Sequence, residues 1–153
     1  NNGSTIRPTV FSMERLLKNI SISFAISLNE QDGIEFTSKI PSDMGDFTGD
    51  KLKLEQVILN LLRNAKDAVG ESGSIMLSAT RHTDSIHIAV KDSGCGIPHE
   101  RLESIFEPFR TYKSGGTGLG LALSRQIITA HGGTISVDSK EGDGSVFSIV
   151  LPV

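Results

Sequence analysis

Apolar residues recur along this chain with two different periods, and the switches between them lay out the elements. From about Val10, the positions Met13, Leu16, Leu17, Ile20 and Phe24 fall three and four apart, the spacing of a helix with one buried face. Gly33 ends that segment. Ile34-Glu35-Phe36-Thr37-Ser38-Lys39-Ile40 alternates like a strand, and Pro41 stops it. A polar loop then runs to Asp50, a helix N-cap. Leu52, Leu54, Val57, Ile58, Leu61, Leu62, Ala65 and Ala68 give the next helix a broad apolar face, and Gly70 and Gly73 bracket its end. Strands follow over 74–81 and 85–91, joined by His82-Thr83-Asp84. Next come a loop, a short helix over 99–105 and a glycine-rich segment. A helix over 118–131 has Leu119, Leu123, Ile127 and Ile128 inward, and Gly132-Gly133 caps it. Strands over 134–139 and 145–151 flank the turn Glu141-Gly142-Asp143-Gly144. Strands adjacent in sequence favour hairpins, so the expected fold class is α+β. It is a two-layer α/β sandwich whose mixed, mostly antiparallel sheet carries helices on one face.

Composition narrows the class of protein. The 153 residues suffice for one domain with a real core. Residues 1–9 read as disordered or as the start of a linker, and 10–153 as the domain. A net charge of −3 indicates neither a nucleic-acid face nor a polybasic membrane patch. No apolar run reaches the ~18 residues of a membrane span. No signal peptide is visible, and the first residues look like the start of a fragment. Cys95 is the single cysteine, which excludes an internal disulfide framework and points to a reducing compartment. It reads as a small space-filling side chain.

Four stretches carry chemistry. The first is Asp92-Ser93-Gly94-Cys95-Gly96-Ile97-Pro98, directly after a strand. An acid leaving a strand end offers a charged acceptor suited to an exocyclic amine such as that of adenine. Glycines two apart tolerate positive φ and let a flat ligand come close. Alone, the same pattern fits an ordinary tight turn. The second is Asn60-Leu61-Leu62-Arg63-Asn64-Ala65-Lys66-Asp67. Asn60 and Asn64, four apart, share a helix face, and Asp67 extends that rim. Amide and carboxylate oxygens are hard ligands that suit magnesium; a solvated polar face fits as well. The third, Lys113-Ser114-Gly115-Gly116-Thr117-Gly118-Leu119-Gly120-Leu121, runs into a helix, where successive N–H groups form an anion site. It is neither a P-loop nor the dinucleotide fingerprint. Between them, Phe106-Glu107-Pro108-Phe109 either anchors a lid or packs in the core, with Arg110, Tyr112 and Lys113 beyond it. Among the histidines, His99 reads as structural, His82 as a turn residue and His87 as solvent-facing. His131 reads as a helix C-terminal residue favoured by the dipole, and no two histidines form a metal pair.

Taken in order, these stretches resemble the catalytic ATP-binding domain of sensor histidine kinases, in the superfamily shared with gyrase, the Hsp90 chaperones and MutL. Asn60 and Asn64 match the N box, and Asp92, Gly94 and Gly96 the G1 box. Phe106-Glu107-Pro108-Phe109 matches the F box. Gly116-Thr117-Gly118-Leu119-Gly120-Leu121 matches the G2 box, and Gly142-Asp143-Gly144-Ser145-Val146-Phe147 the last glycine turn. The resemblance covers about residues 10–153 and is closest to the nitrogen- and oxygen-sensing type, from which Arg110 and Tyr112 depart. It implies a Bergerat-type fold and ATP with Mg2+ as cofactors. Asp92 would take the adenine amine, with Gly94, Gly96 and Ile97 shaping that pocket. Asn64 would hold magnesium, with Asn60 and Asp67 near the phosphates. The N–H groups of Gly116, Thr117, Gly118, Leu119, Gly120 and Leu121 would cradle the phosphates, with Ser145 closing the set. Lys113 or Arg110 would neutralise charge on the transferred group.

In the ATP-hydrolysing relatives a glutamate stands where Asn60 does. An amide cannot accept a proton at neutral pH, so activation of water is expected to be poor and transfer favoured. The resemblance implies that the γ-phosphoryl goes to a histidine on a separate dimerisation domain of a two-component kinase. From there it passes to an aspartate in a response regulator receiver domain. No histidine here has the expected setting of an acceptor. The domain is expected to be cytoplasmic and monomeric, within a homodimeric parent that is soluble or membrane-anchored. The alternatives are an anti-sigma-factor serine kinase and a nucleotide-gated binding module without transfer.

Overall fold

Ser12 ends a short strand and opens the first helix: its hydroxyl accepts from the Arg15 N–H at 3.2 Å, the N-cap of α1 (Met13–Ser27). The computed structural model describes residues 5–28, 33–108 and 120–153. As the spacing predicts, α1 buries Met13, Leu16, Leu17, Ile20 and Phe24. It starts later than Val10 because β1 (Thr9–Ser12) occupies the preceding residues and pairs antiparallel with β3 (Asp46–Gly49). Four residues each are too few for alternation to show. Both strands were hidden, one in the expected helix and one in the expected polar loop. Phe11 opposite Phe47, with ring centroids 5.9 Å apart, holds this ribbon together.

α2 (Lys51–Val69) is capped by Asp50, whose Oδ1 accepts from the Lys53 N–H at 3.2 Å. Leu54, Val57, Ile58, Leu61, Leu62 and Ala65 are buried. Leu52, expected on the same face, is 75% exposed. It lies two residues before Leu54, a little over half a turn round the helix, so it points the other way. Ala68 is half-buried.

The main sheet is formed by β2 (Gly33–Lys39), β4 (Ser72–Arg81), β5 (Ser85–Asp92), β6 (Thr134–Lys140) and β7 (Gly144–Pro152), in the order β2-β4-β5-β7-β6. β2 pairs parallel to β4, across the connection that contains α2; the other pairs are antiparallel. α2 packs on β4, β5 and β7, and α3 (Gly120–Ala130) packs on α2 and β6. Inward residues of the central strands, among them Leu77, Ile88, Val90, Ile149 and Leu151, complete one core. This is the expected α+β sandwich. The helix expected over 99–105 is a single 3-10 turn, His99–Arg101. Among the described residues, no helix is long and apolar enough to cross a membrane.

Two ties lie outside any periodic pattern. The Arg7 N–H donates to Asp50 Oδ2 at 2.9 Å, and the Lys53 ammonium donates to the Thr5 carbonyl. Thr5 and Arg7, in the stretch expected to be disordered or the start of a linker, are tied to the start of α2. His131 holds the end of α3 to the same point. Its Nε2 accepts from the Asp50 N–H at 2.9 Å, and its Nδ1 lies 2.8 Å from the Ile127 carbonyl. The ring thus bridges the end of α3 and the start of α2, accepting through Nε2 and donating through Nδ1 in the tautomer that these two contacts suit.

Candidate nucleotide site

The inward side of β5 ends on a carboxylate. Asp92 follows Ile86, Ile88 and Val90 on the buried side of the strand and is itself only 4% exposed. Burial raises its pKa above the ordinary carboxylate value, against the pull of the backbone N–H groups of Gly94 and Ser145. Its Oδ1 accepts from the Gly94 N–H at 2.8 Å, which turns the chain sharply out of the strand.

The loop after Asp92 is secured on three sides. The Cys95 N–H donates to the Ala68 carbonyl at 3.2 Å, at the end of α2. The Gly142 N–H donates to the Cys95 carbonyl at 2.7 Å, from the β6–β7 turn. The Ile97 N–H donates to Ser139 Oγ at 2.8 Å, and that oxygen lies 2.7 Å from Ser145 Oγ. The two glycines have a different physical reason from the expected one. A Cβ on Gly94 would stand 2.5 Å from the Ala68 carbonyl carbon. A Cβ on Gly96, where φ is +72°, would stand 2.1 Å from the Lys140 carbonyl oxygen. Both bare faces point at this chain's own backbone, so the glycines serve the packing of the loop rather than the approach of a ligand. The Cys95 side chain is exposed and fills no interior space.

The second part of the site lies where α2 meets the start of α3. Asn60 is half-buried, and its Nδ2 donates to Ser124 Oγ at 3.3 Å. A Cβ on Gly120 would stand 2.6 Å from Asn60 Oδ1, so the amide rests directly on the first residue of α3. Asn64, one turn along α2, is also half-buried, whereas Asp67 is exposed. Leu121 turns its side chain into the core. The N box asparagine and the last glycine of the G2 box are thus in contact, although 60 positions separate Asn60 from Gly120.

Arg110, Lys113, Gly116, Thr117, Gly118 and Leu119 lie outside the described residues. Phe106 packs toward the core, its ring 6.3 Å from that of Phe147 with the Arg125 guanidinium 5.8 Å above it. Two side chains in these contacts were missed, Ser124 and Ser139. Ser139 faces Ser145 across the β6–β7 pair, and Ser124 stands one turn after Gly120; helical and strand spacing could have flagged both. On the open face of the sheet, His82 and His87 come within 4.2 Å of each other, ring to ring. Among the described residues, no group of three or more His, Cys, Asp or Glu could hold a metal ion. The half-buried Asn60 and Asn64 offer amide oxygens on one face of α2, with the Asp67 carboxylate beyond them, and such hard oxygen donors fit magnesium.

Residues 49–153 match the histidine kinase-, DNA gyrase B- and HSP90-like ATPase family, and the chain belongs to it. Within that family its relatives are sensor kinases. It is 38% identical to the sensor histidine kinase ZraS of Escherichia coli K12 over 154 residues, 97% of this chain and 33% of that protein. Its fold matches the catalytic domain of the histidine kinase ThkA with a TM-score of 0.85 at 33% identity, covering 95% of both chains. ThkA in complex with the response regulator TrrA also matches, at 30% identity and a TM-score of 0.81, over 96% of this chain and 42% of that one. Full-length ShkA in complex with AMPPNP matches at 28% identity and a TM-score of 0.82, over 97% of this chain and 31% of that one. The chain thus spans about a third of the length of ZraS.

Proposed function

We propose that this domain binds ATP with magnesium and donates the γ-phosphoryl group to a histidine of a longer two-component sensor kinase. The observation that supports the reading is the meeting of Asn60 with Gly120 at the start of α3; Asn60 lies on α2, whose end holds the Asp92 loop through the Ala68 carbonyl. In this reading Asp92 is the purine-reading carboxylate and α2 carries the metal-holding face. Asp92 accepts a hydrogen bond from the adenine amine. Gly94, Gly96 and Ile97 hold its loop, and Ser145 supports it from β7. The glycine run from Gly116 to Leu121 offers main-chain N–H groups to the phosphates. Asn64 would hold the magnesium ion, with Asn60 and Asp67 on the same helix rim. Bound there, the metal would supply positive charge that offsets that of the phosphates. Lys113 or Arg110 neutralises charge on the moving group.

In the transfer, the bond between the β–γ bridging oxygen and the γ-phosphorus breaks as an imidazole nitrogen forms the new N–P bond, and ADP leaves. Asn60 has no basic atom to deprotonate water, which favours the external nucleophile. The acceptor histidine belongs to a helical dimerisation domain, and an aspartate of a response regulator receives the group next. The domain itself is a cytoplasmic monomer within a homodimeric parent. The likeness to ThkA in complex with TrrA supports the partner, and the likeness to ShkA in complex with AMPPNP supports the cofactor.

The test mixes this domain with a separate histidine-bearing helical hairpin and γ-labelled ATP. Acid-labile label on the hairpin is expected. Acid-stable label on serine would replace the reading with an anti-sigma-factor serine kinase. Nucleotide binding with no transfer under any pairing would leave a binding module.

A further inference from the structure

The contact between Asn60 and α3 has a second member. Ser124 is 2% exposed, sits on the inner face of α3, and its hydroxyl receives the Asn60 Nδ2 hydrogen at 3.3 Å. An amide has a donor end and an acceptor end, and a half-turn about its last bond exchanges them. With Nδ2 on Ser124, Oδ1 is the nearer amide atom to the helix start, 2.6 Å from where a Cβ on Gly120 would stand against 2.9 Å for Nδ2. A carbonyl oxygen there accepts hydrogen bonds from metal-bound water, or binds the metal itself. It offers nothing to a phosphate oxygen, which is an acceptor too.

We propose that Ser124 is a positioning residue: it holds the Asn60 amide with its oxygen toward the start of α3, so that Asn60 works on hydrated magnesium rather than on phosphate. The proposal rests on the reading that Asn60 serves the metal-bound nucleotide. Ser124 touches neither metal nor nucleotide and acts only through Asn60.

The experiment compares ATP affinity with magnesium and with a chelator present, by calorimetry, in the parent, Asn60→Ala, Ser124→Ala, Ser124→Thr and the double alanine variant. The quantity followed is the gain in affinity that magnesium brings. Losing one neutral hydrogen bond should shrink that gain about two- to tenfold in Ser124→Ala. Ser124→Thr, which keeps the hydroxyl, should restore most of it. The double variant should lose no more than Asn60→Ala alone, because both act through one group. Affinity without metal should stay the same in Ser124→Ala and Ser124→Thr. A purely structural role would instead lower both affinities together and show in thermal unfolding. If Asn60→Ala keeps the full gain, the reading of Asn60 falls and the proposal with it. If Asn60→Ala loses the gain while Ser124→Ala keeps it, or if the two losses add, the proposal alone is overturned.

Discussion

Gly70 and Gly96 both take a positive φ and differ in what a side chain there would meet, so they make an informative pair. Their φ angles are +68° and +72°. A Cβ on Gly70 would meet nothing within 4 Å, whereas one on Gly96 would stand 2.1 Å from the Lys140 carbonyl oxygen and 3.0 Å from Glu141 Cα. Alanine at Gly70, where ψ is −126°, therefore carries only a backbone cost of ~1–3 kcal/mol. The smaller entropy of its unfolded chain offsets ~0.4–1 kcal/mol of that, for a net loss of about 1–2 kcal/mol. Alanine at Gly96 carries a positive-φ cost of the same order and must also drive the β6–β7 turn back by about 1 Å to reach ordinary contact. Overpacking of that kind adds ~1–3 kcal/mol, for a total of about 2–5 kcal/mol. Urea unfolding of both variants measures the two losses, and calorimetry with ADP follows the site. Gly96→Ala should also weaken ADP binding, because the displaced loop begins at Asp92; Gly70→Ala should leave it unchanged. Equal stability losses in the two variants would refute the packing argument, since they would mean that Lys140 does not bound the loop.

Three further outcomes follow from the geometry. Asp92 has a raised pKa in the folded state, so it favours folding at acid pH and this contribution fades as pH rises through the raised value. Adenine recognition runs the opposite way. ADP affinity should fall as pH drops, beginning above the ordinary aspartate value of about 4, and Asp92→Asn should flatten both trends in urea unfolding and calorimetry. His131→Ala removes the bridge to α2 and leaves the Asp50 N–H without its acceptor, so stability should drop by about 1–3 kcal/mol, measured by urea unfolding. Gly120→Ala should separate stability from function. Alanine favours the helix by up to about 1 kcal/mol, yet its Cβ would press on the Asn60 amide. The two effects on stability oppose each other, so the stability measured by urea unfolding should change by no more than about 1 kcal/mol, while calorimetry shows weaker magnesium-dependent ATP binding.

Long periodic segments were legible because burial imposes a period on them. α1, α2, β4, β5, β6 and β7 carry their buried sides as repeats of three and four or of two, and each forms within a few residues of its expected place. β1 and β3 were not legible. A four-residue strand holds too few positions to display a period, and its pairing depends on a partner more than 30 positions away. Leu52 shows the limit of counting apolar residues without following the helix round.

The candidate site divides along the same line. Asp92 at a strand end, two asparagines one helical turn apart and two glycine clusters are local facts, and the sequence alone determined that such groups exist and in what order. It also determined that the group at position 60 is an amide without a basic atom. Only the tertiary structure decided what those groups touch. It turned the bare faces of Gly94 and Gly96 toward Ala68 and Lys140. It laid Asn60 on Gly120 and gave its amide to Ser124. It also used His131 to join the end of one helix to the start of another. Those contacts join residues some 30 to 80 positions apart, and close packing between distant segments leaves no period in the chain from which to read it.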